Sequence, residues 1–262
     1  NACRVREIRS VSGGNVNLET ESSENYSIGM VWEPMDNWSI AVDYYRIEVE
    51  DIIGALGVQE ILNNEDQYPE LVNRVNGQLS DPNAFVEANL QNLNQENGEG
   101  IDFSTMHRAA FNSGSFVTDL RVAWLLSHER QTSAIQPMCE DKGTTSEPEW
   151  RVNGQFGWQS DADWSLTMTA RYLDSTVDYI GGRANNSCEP QGRTRKVDSY
   201  LELGLRGTYS FGEHLQLAAG IINLTSEEPA FSEIAAGGWP WFDQSLYDPR
   251  GMRYYLNLTY DF

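Results

Sequence analysis

The chain has 262 residues, room for one large or two small domains, with 40% hydrophobic residues, 8 Trp, 12 Tyr, 9 Phe and a formal net charge of −21. That charge excludes a nucleic-acid binder, which gathers basic residues against phosphates. Apolar runs are far shorter than the roughly 18 residues of a membrane helix, the longest being Val122 to Leu126. A bilayer can then be crossed only by strands closed into a barrel, because every backbone amide must find a partner away from water.

Alternation of apolar and polar residues marks a strand with one apolar face, and it recurs along the chain. Tyr26, Ile28, Met30 and Trp32 oppose Ser27 and Gly29; after a short turn at 33–37, Trp38, Ile40, Val42 and Tyr44 oppose Ser39, Ala41 and Asp43. A long link over roughly 51–88 follows. Val58, Ile61 and Leu62, then Leu71, Val72 and Val75, have helical spacing there, with Pro69 as a breaker. Ile101, Phe103 and Thr105 face away from Asp102 and Ser104, and a turn at 111–115 leads to Phe116, Leu120, Val122, Trp124 and Leu126, opposite Asp119, Arg121 and Ser127. Beyond a link at 131–148, Trp150, Val152, Phe156 and Trp158 oppose Arg151, Asn153 and Gln155. A turn at 159–163 precedes Trp164, Leu166, Met168, Ala170 and Tyr172, opposite Ser165, Thr167, Thr169 and Arg171.

A third long link spans 180–197. Leu201, Leu203, Leu205, Tyr209 and Phe211 then face away from Glu202, Arg206, Thr208 and Ser210. The turn at 211–214 leads to Leu215, Leu217, Ala219 and Ile221, and a last link covers 224–247. The closing strand places Met252, Tyr254, Leu256, Leu258, Tyr260 and Phe262 on one face. Aromatics flank leucines there, as expected where rings sit at both membrane interfaces. The expectation is an all-β, transmembrane antiparallel barrel with nine strands in this chain. Short turns alternate strictly with long links, which assigns the turns to the periplasm and the links to the cell exterior.

Several segments resemble TonB-dependent outer-membrane receptors. Asn15 to Gly29 is similar to the family's N-x-x-L-x-x-E-x-S-x-x-Y-x-x-G lead-in to a late strand, and Trp38 to Ile52, centred on Asp43-Tyr44-Tyr45-Arg46-Ile47, to the strand after it. Asn97-Gly98-Glu99-Gly100-Ile101-Asp102 resembles its G-x-G-x-D strand, and Ile222-Asn223-Leu224-Thr225 its x-N-L-x-D strand end, with Ser226 where Asp is usual. Tyr247 to Tyr255 looks like the start of its last strand, and Phe262 matches its terminal aromatic. The resemblance covers residues 14–262. It implies that residues 1–262 are the C-terminal portion of a barrel of about 22 strands whose lumen is plugged, the plug and earlier strands lying elsewhere, in the same chain or another. It further implies a receptor in the bacterial outer membrane. Its ligand would be a siderophore, cobalamin, oligosaccharide or peptide, imported with energy delivered by the TonB complex through the plug, with lipid and lipopolysaccharide around it. A passive porin-like channel and a structural or adhesive surface protein are the other two readings.

Side-chain chemistry points away from an enzyme. His107, His128 and His214 fall on a strand, a strand end and a turn, without a nucleophile–base set or metal-ligand spacing, so no catalytic residue, cofactor or metal is expected. Cys139 and Cys188 fall in two links flanking one hairpin, where an oxidising compartment permits a disulfide between them; separate thiols are the other outcome. Cys3 would pair within its own loop or with a part outside this sequence. Phe231, Trp239, Trp241 and Phe242 in the last link are candidate ligand-stacking residues, unless they pack the link against its neighbours. Arg151, Arg171, Arg206 and Arg253 on the polar faces are expected to pair with Glu202, Asp119 and Asp261.

Overall fold

The computed structural model describes residues 8–131, 136–183, 187–235 and 239–262, so Cys3 lies outside the described residues. Nine long strands build its main sheet: β1 (Ser22–Met35), β2 (Trp38–Ala55), β3 (Leu90–Phe111), β4 (Gly114–Gln131), β5 (Trp150–Ser160), β6 (Trp164–Leu173), β7 (Tyr200–Phe211), β8 (Leu215–Ile222) and β9 (Arg253–Tyr260). Each strand lies beside its neighbours in sequence, and the two-residue strand Cys139–Glu140 adds to β4. This up-and-down order is what short turns between consecutive strands produce. β1 and β9 are the two ends of the sheet, so these nine strands do not close a barrel.

Register keeps the two faces apart. One row across the sheet reads Thr118, Phe156, Met168, Leu205, Ile221 and Tyr254, each paired with the next. The adjacent polar row reads Asp119, Gln155, Thr169 and Gly204. A slip of one residue would move every apolar side chain to the polar face, so the pattern specifies the pairing. The apolar face is largely bare: Ile28 is 73% exposed, Tyr254 74%, Leu256 69% and Leu258 67%. In water so wide an apolar band would be unfavourable. In a bilayer it matches its surroundings.

Aromatic rings crowd the short-turn end of that face. Trp32 and Trp38 lie 6.4 Å apart, Phe111 and Trp158 5.6 Å, Tyr209 and Phe211 4.6 Å, and Tyr260 and Phe262 5.1 Å between ring centres. At the other end Trp124 stacks on Trp150 at 4.8 Å with planes 9° apart. Amphipathic rings at two levels are the girdles of a membrane-spanning barrel.

On the polar face, tyrosine rings lie over glycines of the next strand. Gly220 is the register partner of Tyr255, and a Cβ at Gly220 would fall 2.5 Å from Tyr255 Cζ. The ring fills the space a side chain would occupy, and Tyr45 does the same over Gly100. Gly220→Ala should force the Tyr255 ring aside at a cost of roughly 1–3 kcal/mol, read as a lower temperature for losing the compact, heat-modifiable form on gels.

Three of the four polar-face arginines, Arg151, Arg171 and Arg253, find partners close in sequence or on the links. Arg253 binds Asp248 at 2.7 Å, Arg151 approaches Glu147 at 3.7 Å, and Arg171 donates to the Leu246 carbonyl at 2.6 Å while standing in register with Glu202. Asp119 is engaged by Arg121, at 3.2 Å. For these three arginines the expected cross-strand pairing gives way to contacts with the ends of the links, which descend onto the polar face.

The chain divides into two compact units. The first comprises the described parts of Asn1–Glu24, Glu48–Glu96 and Arg130–Met138. It contains the helix Val58–Asn63, the 3-10 turn Pro69–Leu71 and a small sheet of Ser10–Val11, Phe85–Glu87 and Val72–Asn73. Leu56, Ile61, Tyr68, Leu71, Val72 and Val86 form its core. The helical spacing read at 58–62 is therefore a helix, whereas Val72 enters a strand. The second unit comprises Asn25–Ile47, Asn97–Glu129 and Cys139–Phe262.

Candidate functional site

Within the second unit, three long links carry most of the side-chain chemistry: residues 139–149, 174–199 and 223–252, apart from 184–186 and 236–238. The middle link folds into a hairpin, Thr176–Ile180 paired antiparallel with Arg193–Val197. Asp178, in its first strand, is completely buried. Its carboxylate accepts hydrogen bonds from the Thr145 hydroxyl of the preceding link, and from the Ser232 hydroxyl at 2.9 Å and the Glu233 amide at 2.7 Å in the following one. A buried carboxylate is tolerable only when its oxygens are satisfied, and here donors from two other links satisfy them. Asp178 is the hub of the links.

Further ties surround it. Cys139 and Cys188 form a disulfide across a separation of 49 residues, with Cα atoms 5.3 Å apart. Arg183 binds Asp141 at 2.7 Å, donates to the Glu140 carbonyl and covers the Tyr179 ring at 5.4 Å. The Val177 amide donates to the Gly143 carbonyl at 2.9 Å, and the Ser146 hydroxyl to Asp243. Asn223 pins the start of the last link: its side chain exchanges two 2.8 Å bonds with the backbone of Glu227. At that link's far end Leu246 and Tyr247 pack on Leu173 and Tyr200.

Three carboxylates of these links, Glu140, Asp243 and Asp248, are held below their usual range. Burial alone would raise Asp243, but hydroxyls of Ser146 and Ser245 and the amides of Ser245 and Leu246 outweigh it and bring the carboxyl below its usual range. Glu140 is lowered in the same way, burial being overcome by the amides of His128 and Lys142 and the Ser127 hydroxyl. The Arg250 side chain and amide hold Asp248 well down. Depressed carboxylates contribute stability that is complete above the ordinary value of about 4 and is lost only as pH falls through the lower folded values. Tryptophan emission, with Trp241 in the last link, should therefore stay flat from about pH 7 to about pH 5 and shift below about pH 4.

Beside the hub lies a cationic and aromatic cluster. Arg193, Arg195 and Lys196 are exposed on the second strand of the hairpin, three of the 18 basic residues in the whole chain. The Arg195 guanidinium sits 4.2 Å from the Phe231 ring centre, and Phe231 stacks on Trp241 at 6.1 Å with planes 8° apart. The Ser232 amide donates to the Trp241 carbonyl at 2.8 Å, fixing the two rings side by side. Of the aromatics proposed from sequence, Phe231 and Trp241 are thus brought together. Trp239 projects outward, 77% exposed, and Phe242 packs against the cluster of Leu173, Tyr200, Leu246 and Tyr247. Arg195 and Asp178 escaped the sequence reading. The first had a visible signal, the densest basic run of an acidic chain. The second had none, because a buried aspartate in a link resembles a solvated one.

Sheet order, face pattern and girdles meet in one comparison. The family model described as TonB dependent receptor-like, beta-barrel, matches residues 6–224. The chain belongs to that family. TonB-dependent receptors are receptors and transporters, not enzymes, and the chain's place is accordingly the bacterial outer membrane. A ferric enterobactin receptor of Pseudomonas aeruginosa is 23% identical over 256 residues, 95% of this chain and 30% of that protein. The ferric enterobactin receptor PirA of the same species is also 23% identical, over 95% of this chain and 29% of its own length. Among solved structures, the siderophore receptor PirA from Acinetobacter baumannii superposes with a TM-score of 0.66 at 15% identity, over 96% of this chain and 33% of that one. The pyoverdine outer membrane receptor FpvA from P. aeruginosa gives 0.59 at 14% identity, over 94% and 30%. At these identities the structures establish the fold. The chain spans about a third of the length of the relatives it matches.

Proposed function

We propose that these residues are the C-terminal portion of a TonB-dependent receptor barrel that captures a ferric siderophore on its long links and imports it with TonB energy. The observation that carries the reading is the cluster of Arg195, Phe231 and Trp241, presented on links cross-tied by Asp178 and by the Cys139–Cys188 bridge. Guanidinium groups attract an anionic chelate, and flat rings offer contact area at low entropy cost. That chemistry agrees with the ferric enterobactin and siderophore named for its relatives, and suits an uncharged sugar less well. In this reading the long links face the exterior, Trp239 joins the ligand surface, and strands and a plug beyond this sequence complete the barrel and contact TonB. Lipid and lipopolysaccharide surround the apolar face.

The test is uptake of iron(III) tris-catecholate by iron-starved cells. Deleting the gene should abolish the component of uptake that depends on TonB, and Arg195→Ala should weaken binding by about ten- to a hundredfold, the range for losing a charged contact in a binding site. Unchanged binding by Arg195→Ala would remove the cluster from the ligand site.

A further inference from the structure

Glu233 already occupies the cationic end of this cluster. Arg193 grips its carboxylate with Nη2 at 2.7 and 2.8 Å from the two oxygens, and Arg195 Nη1 lies 3.5 Å from Oε1. Its side chain is only 21% exposed, while those of Arg193 and Arg195 are 70% and 44% exposed. The carboxylate is not placed there by its arginine partners alone. The Glu233 amide is anchored to the buried Asp178 at 2.7 Å, so the backbone aims the side chain at the two guanidinium groups. Arg195 is thereby fixed between the Glu233 carboxylate and the Phe231 face.

From this we infer that Glu233 is an internal anion that holds the site closed to weak ligands. An incoming anion can take over the guanidinium atoms that Glu233 holds only by displacing its carboxylate, which leaves the amide anchor in place and swings the side chain into water. A chelate with several negative charges replaces what it removes. A neutral or singly charged one gains too little to do so, and Glu233 thus acts as a specificity filter, since selectivity is set by what a site refuses as much as by what it holds. The inference rests on the siderophore reading above.

The test uses cells carrying the protein in their own outer membrane, with radio-iron bound either in a tris-catecholate of charge −3 or in a neutral trihydroxamate. E233Q keeps the amide anchor and the side-chain shape and removes the charge. It should bind the tris-catecholate about tenfold tighter, the scale of one charge-assisted bond, and should also bind the trihydroxamate, which the unaltered site refuses. In an R193Q/R195Q background the same substitution should add nothing, because the coupling is between these side chains. Unchanged or weaker binding of the tris-catecholate by E233Q, or a trihydroxamate still refused by it, would overturn the filter. The underlying reading fails differently: Arg195→Ala would then leave tris-catecholate binding unaltered, whereas failure of the filter alone keeps the loss in Arg195→Ala.

Discussion

Asp178→Ala is expected to unfasten two links from the hairpin between them. The substitution removes the acceptor for the Thr145 and Ser232 hydroxyls and the Glu233 amide. Ser232 is itself 2% exposed, so its hydroxyl loses a partner where water has little access. Hydrogen bonds to a charged group contribute about 1.5–3 kcal/mol each and do not add fully, which puts the local loss at roughly 3–5 kcal/mol. Hydrogen exchange should quicken by two or more orders of magnitude at 139–149 and 223–235 while strands β5 to β8 stay protected. Asp178→Asn, which keeps one oxygen acceptor, should fall between. Exchange in Asp178→Ala as slow as in the unaltered protein would mean that the disulfide and the Arg183–Asp141 pair hold the links without the hub.

The second large effect concerns the two faces of β9. Leu256 stands opposite Ala219 on the apolar face, and Asn257 opposite Ala218 on the polar one. Arginine near the midplane of the lipid-facing surface costs about 2–4 kcal/mol, and much less in the lumen. Leu256→Arg should therefore reduce the amount of protein assembled in the outer membrane severely, while Asn257→Arg one residue away assembles almost normally. Membrane fractions probed by immunoblot give the answer. Equal tolerance of both would mean that the exposed leucines do not face hydrocarbon.

The membrane-spanning parts of the fold were legible because lipid enforces alternation residue by residue. Trp164 to Tyr172 or Leu201 to Phe211 could be read directly, and so could the sorting of short turns from long links. Beyond the membrane that constraint disappears. β3 has 22 residues, β2 and β4 have 18 each, and about 9–11 suffice to cross. The segment Leu90 to Gly98 of β3 has only Leu90 and Leu93 as apolar residues, three apart, and left no alternation to read. The hairpin of Thr176–Ile180 and Arg193–Val197 was hidden for a related reason. Its first strand buries Thr176 and Asp178, the aspartate held by other links, so the usual apolar signal is inverted there. In the site, Phe231 and Trp241 drew attention by residue type, while their partner Arg195 lies 36 residues from Phe231, in another link.

A receptor that meets its ligand on the long links must carry those links on the outer side of the membrane and the short turns on the inner side. An epitope inserted after Glu228, an exposed position of the last link, and the same epitope inserted after Asp161, in the turn between β5 and β6, distinguish the possibilities. On intact cells, antibody should label the insertion at 228 and reach the insertion at 161 only after the outer membrane is permeabilised. Labelling of the insertion at 161 on intact cells, with that at 228 shielded, would contradict a receptor that meets its ligand on the long links.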